Sequence, residues 1–92
     1  EVNCETDFVA RTPDFKQLAH DIAMQVAAMA PLFVDSSDIP EDQDSNPQET
    51  CLMQQPFIKD NSSAVGEIVQ VLAAKVGENV RVLRFTRLAL GE

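Results

Sequence analysis

This sequence has no tryptophan, no tyrosine, one histidine, three glycines and two cysteines among its 92 residues, and each shortage removes a class of function. His20 alone cannot supply a zinc set with two distant cysteines, and no serine sits in the strained Gly-x-Ser-x-Gly turn of a hydrolase. A Cys4/His20 nucleophile pair would lack an orienting group and a pocket, so no covalent catalysis and no metal or cofactor is expected. Three scattered glycines do not make a phosphate-cradling loop. Cys4 and Cys51 are too few for a disulfide-stapled secreted scaffold, which favours a reducing interior; one bridge between them is the remaining alternative. No apolar run approaches the roughly 18 residues of a membrane span, so no membrane is expected as a partner. Basic residues are also scarce, seven against fifteen acids for a formal charge of −8, which sets the surface against a phosphate backbone. Direct nucleic-acid binding is not expected.

What is present fits one small domain, 45% hydrophobic and 24% charged. The acids are concentrated early: residues 1–50 hold eleven acids and two bases, whereas 51–92 hold four acids and five bases. The chain opens on Glu1-Val2-Asn3-Cys4 without a methionine, as an excised or processed piece would. Thr12 as a cap, Pro13 at the first helical position and Asp14 at the positive helix end predict a helix from Thr12 to Ala30, closed by Pro31. Its apolar positions Phe15, Leu18, Ala19, Ile22, Ala23, Val26, Ala27 and Ala30 form one buried face. The flanking row Asp21, Met24, Gln25 and Ala28 is small or polar; it suits either a solvated flank or close approach by a second protein.

Leu32 to Val34 suits a minimal strand, and residues 35–50, acidic and without apolar periodicity, read as a mobile loop. The acids there lack the spacing and central glycine of a calcium loop. Cys51 to Ile58 reads as extended, with Pro56 barring a central strand. A second helix follows from about Val65 to Val76, where Ser62 or Ser63 is available as a cap, Ala64 cannot complete a capping box with Glu67, and Gly77 provides the stop. Val80 to Leu90 is the longest strand candidate, and Glu1 to Cys4 a further one. The expected fold class is α+β: a small antiparallel sheet with two main helices packed on one face.

One motif is conspicuous. In Asn3-Cys4-Glu5-Thr6-Asp7-Phe8-Val9-Ala10-Arg11 a strand end passes a polar turn and offers an aromatic just before the Thr12-Pro13 helix start. Either Phe8 and Val9 staple the helix start by packing on its next turn, or Phe8 is an exposed knob for a partner's pocket.

These residues resemble the signature of elongation factor Ts, the guanine-nucleotide exchange factor of translation. The resemblance runs from Glu1 to Arg11 and through Ile22-Ala23-Met24, Ala27-Ala28 and Pro31. It continues in Gln55-Pro56-Phe57-Ile58-Lys59-Asp60 and Val65-Gly66-Glu67, then in Gly77-Glu78-Asn79-Val80-Arg81-Val82-Leu83-Arg84-Phe85 and Leu90-Gly91-Glu92. It implies that residues 1–92 form a single core or dimerisation domain without the factor's amino-terminal helical domain, the acidic loop 35–50 standing in place of a coiled-coil insertion. It also implies elongation factor Tu as partner, contacted by Thr6, Asp7, Phe8 and Val9, with Asp21 and Gln25 as further candidates on the helix flank; Gln25 stands where a histidine is frequent in the family. Phe8 would act as a wedge that weakens the grip of the GTPase on GDP and magnesium. A homodimer is implied, in bacterial cytoplasm or in a plastid or mitochondrion. The alternative is a dimerisation or interaction module with little exchange activity alone.

Overall fold

The computed structural model describes residues 1–89. Its elements in chain order are β1 (Val2–Asn3), α1 (Asp7–Ala10), α2 (Pro13–Met29), α3 (Pro47–Thr50), β2 (Pro56–Phe57), β3 (Asp60–Ala64), α4 (Val65–Val76) and β4 (Arg81–Val82), with 3₁₀ turns at Ser36–Asp38 and Leu52–Gln54. The α+β class is as expected, but the single sheet resolves into two antiparallel ladders, β1 with β4 and β2 with β3. Among the described residues no helix is long and apolar enough to cross a membrane.

α2 begins as its sequence dictates. The Thr12 hydroxyl accepts from the Phe15 amide at 3.3 Å, Pro13 occupies the first turn, and Ala30 closes the helix in the left-handed region at φ 47° before Pro31. The buried stripe is Phe15, Leu18, Asp21, Ile22, Gln25 and Val26. It is turned away from the expected alanine side, since Ala23, Ala27 and Ala30 are exposed. The reason is a neighbour on the Gln25 side: the β2–β3 hairpin packs there and needs polar partners for its backbone.

α4 buries Val65, Val69 and Leu72 against α2 and the Leu52–Gln54 turn. Ala64 occupies its N-cap without a side-chain bond, the serines 62 and 63 lying in β3 instead. Gly77 stops α4 at φ 70°, a conformation that glycine adopts without the Cβ clash of other residues. Leu52, Val65 and Cys51 have no exposed surface and lie at the centre of the molecule.

Three expected elements take another form. Leu32 to Val34 is held by an isolated parallel bridge from Phe33 to Cys51 rather than in a strand. The 35–50 segment is not a featureless loop: Asp35 and Asp38 form a reciprocal capping box around a 3₁₀ turn, and Asn46 caps α3 with Pro47 at its first position. The long strand expected over Val80 to Leu90 is regular only at Arg81–Val82, opposite Val2 and Asn3, with two further backbone bonds between Glu1 and the Leu83 amide and Arg84 carbonyl, at 2.9 and 2.7 Å; Leu90 lies outside the described residues. Cys4 and Cys51 are both free thiols, half-buried and buried respectively.

Candidate partner-binding site

The Thr6–Val9 motif folds as a cap and one helical turn. Four residues cannot sustain a helix alone, since nucleation is unfavourable, so α1 depends on bonds from outside it. Thr6 supplies one: its hydroxyl faces the Val9 amide at 3.4 Å. At the far end Thr12 Oγ1 donates to the Val9 carbonyl at 2.7 Å while accepting from Phe15, which ties α1 to the start of α2. At the near end the Glu78 carboxylate accepts from the Glu5 and Thr6 amides, at 3.1 and 3.0 Å, and from the Thr6 hydroxyl.

This scaffold separates two adjacent apolar side chains. Val9 is buried in the core, whereas Phe8 is 86% exposed. A buried side chain of that size gains about 1.5–3 kcal/mol. Phe8 leaves nearly all of this unrealised within its own chain. The two readings of the motif thus divide between its residues: Val9 fastens the helix start, and Phe8 projects. Asp7, exposed in the first turn of α1, gives the ring an anionic neighbour.

The other candidates are committed inside the chain. Gln25, expected on a partner-facing flank, has no exposed surface. Its Nε2 donates to Gln55 Oε1 at 3.2 Å and to the Pro56 carbonyl at 3.0 Å, and its Oε1 accepts from the Ile58 amide at 2.9 Å. Asp21 is 7% exposed and takes Gln17 Nε2 at 2.9 Å and Lys59 Nζ at 3.3 Å. Met24 and Ala28 of the same row remain exposed. Val9, named with Thr6, Asp7 and Phe8 in the motif, packs into the core as the stapling alternative expects, so its side chain faces away from the surface that Phe8 occupies.

A concavity of about 710 Å³ lies elsewhere, between α4, the Ser36–Asp38 turn and β4, and none of the Thr6–Val9 residues lines it. Among the described residues no group of three His, Cys, Asp or Glu side chains could hold a metal ion. Asp35 has a carboxyl held below the usual aspartate range by the Gln54 amide and then by the Ser37 hydroxyl and backbone. Asp60 is lowered in the same way by the Ser62 hydroxyl and backbone. The Asp60 shift comes from its own turn, whereas that of Asp35 comes first from the Gln54 side chain across the chain and then from the turn at Ser37; neither involves a second titratable group.

Fold and surface together define a small α+β domain that displays one aromatic side chain from a capped turn. No family model matches the chain. Comparison with known proteins matches it throughout to elongation factor Ts: 42% identical to that of Methylacidiphilum infernorum, 38% to that of Solibacter usitatus and 40% to that of Thermotoga maritima. Each match covers all of this chain but only 60%, 58% and 60% of the respective protein. The chain is thus a relative of elongation factor Ts, corresponding to a part of that factor and spanning about three fifths of the length of the relatives it matches. The first alignment extends over 120 positions against 92 residues here, so at least 28 residues of that relative have no counterpart in this chain.

Proposed function

We propose that this chain promotes GDP release from elongation factor Tu by inserting Phe8 into an apolar site of that GTPase, with Thr6 and Asp7 at the rim and Val9 holding the turn from behind. The observation that carries the reading is the 86% exposure of Phe8 at the tip of a turn fixed at both ends. The mechanism is linkage. A GTPase conformation that accepts the ring holds magnesium and GDP less well, and bound GDP disfavours the ring by the same factor. A coupling of about 3 kcal/mol corresponds to roughly two decades in relative affinity. No covalent step enters.

On the same reading the 35–50 segment stands where the relatives carry their extra residues, the chain works where bacterial-type translation proceeds, and it pairs with itself. Light scattering tests self-pairing, with a mass of twice 10.1 kDa expected.

The deciding experiment is release of labelled GDP from elongation factor Tu with the parent chain and with Phe8→Ala. The parent accelerates release, and the variant returns it toward the spontaneous rate. Because the ring is exposed, the variant should unfold in urea within about 0.5 kcal/mol of the parent, so lost activity cannot be ascribed to lost fold. Equal release rates for the two chains would contradict the wedge and favour an interaction module that binds without driving exchange.

A further inference from the structure

Glu78 lies immediately beyond α4, more than seventy residues from the Phe8 turn, yet its carboxylate touches that turn three times. Oε1 accepts from the Glu5 and Thr6 amides, at 3.1 and 3.0 Å, and Oε2 accepts the Thr6 hydroxyl. The last bond sets the direction of the hydroxyl. With its proton given to Glu78, the oxygen has its lone pairs left for the Val9 amide that it caps. Glu78 is itself placed by the helix stop: Gly77 at φ 70° turns the chain, and the Gly77 and Glu78 amides both reach back to the Ala73 carbonyl, at 3.0 and 3.3 Å. The carboxylate therefore links a rigid helix end to a four-residue helix that cannot form unaided.

From this geometry we propose that Glu78 is a positioning residue for the wedge: it holds the Glu5–Thr6 backbone so that α1 stays formed and Phe8 stays presented before any partner arrives. The inference rests on the exchange reading above. Without the clamp the turn populates other conformations, and only the presented fraction can bind, so apparent affinity falls by that fraction while the bound complex still contains the intact ring. Glu78→Ala should therefore raise the chain concentration for half-maximal GDP release about tenfold and leave the saturating rate within roughly twofold. Phe8→Ala should instead depress the saturating rate itself. Glu78→Gln retains an acceptor for the two amides without the charge, and should recover about half of the logarithmic loss.

The test pairs that titration with amide hydrogen exchange on the free chain. In Glu78→Ala, the Glu5, Thr6 and Val9 amides should exchange about tenfold faster, with the α2 and α4 interior amides unchanged. A general loss of fold would accelerate all of them together. A Glu78→Ala chain with parental half-saturation and parental exchange at Thr6 and Val9 overturns the proposal, as does a Glu78→Gln chain no better than the alanine variant. If the parent chain drives no GDP release, or Phe8→Ala matches it, the exchange reading fails; the amide-exchange arm still decides whether Glu78 holds the turn.

Discussion

Replacing Gln25 with leucine should lower stability by about 3 kcal/mol, a large share of the 5–15 kcal/mol typical of a domain. The magnitude follows from what the substitution leaves behind. Leucine fills nearly the same volume but makes none of the three bonds of the amide, to Gln55 Oε1, the Pro56 carbonyl and the Ile58 amide. Gln55 is fully buried, so its orphaned oxygen loses its partner with no water to replace it, at about 2 kcal/mol. Pro56 is exposed and Ile58 half-buried, and partial hydration limits each of those losses to about 0.5 kcal/mol. Urea denaturation followed by circular dichroism measures the change, and a thermal scan should show a drop of roughly 12–24 °C. The double variant Gln25→Leu/Gln55→Leu removes the orphan as well, and should be more stable than the sum of the single effects by at least about 1 kcal/mol. A Gln25→Leu loss below about 0.5 kcal/mol, or strict additivity in the double variant, would refute the argument that this amide anchors the hairpin to α2.

Asp35 links stability to acid. Its folded-state carboxyl lies below the ordinary value of about 3.9, so its contribution is present above that value and is lost as pH falls through the lowered one. Comparing urea midpoints of the parent and Asp35→Asn should show a difference that is constant above about pH 5 and closes as the solution is acidified below about pH 4. Gly77→Ala meets no atom within 4 Å, so its penalty of about 1–2 kcal/mol comes from the left-handed backbone alone and should appear in the same assay.

The two long helices were legible because their signals are local. Thr12-Pro13-Asp14 starts α2, Gly77 stops α4, and the absence of a capping side chain at Ala64 is read directly from the residue. The loop at 35–50 was misread because its polar residues were counted as solvation. Asp35 with Asp38, and Asn46 followed by Pro47, are caps, and their spacing carried that information. Burial of Gln25 was not legible from helical periodicity. It depends on which neighbour covers the flank, and that is a tertiary fact. The β4 strand was overextended for a similar reason: a ladder is only as long as its partner, and the residues opposite it are Glu1 to Asn3. At the motif the sequence indicated that Phe8 and Val9 mattered, but their opposite orientations, and the reach of Glu78 across the chain, emerged only in three dimensions.

The most direct measurement places a single reporter at the ring itself. The chain has no tryptophan, so Phe8→Trp carrying 5-fluorotryptophan gives one fluorine resonance. In the free chain it should show the solvent sensitivity of an exposed indole. On adding unlabelled, nucleotide-free elongation factor Tu it should shift and lose that sensitivity, and excess GDP with magnesium should restore the free signal. A resonance already shielded from solvent in the free chain, or one that stays unchanged while the chain is demonstrably bound to elongation factor Tu, would contradict the account.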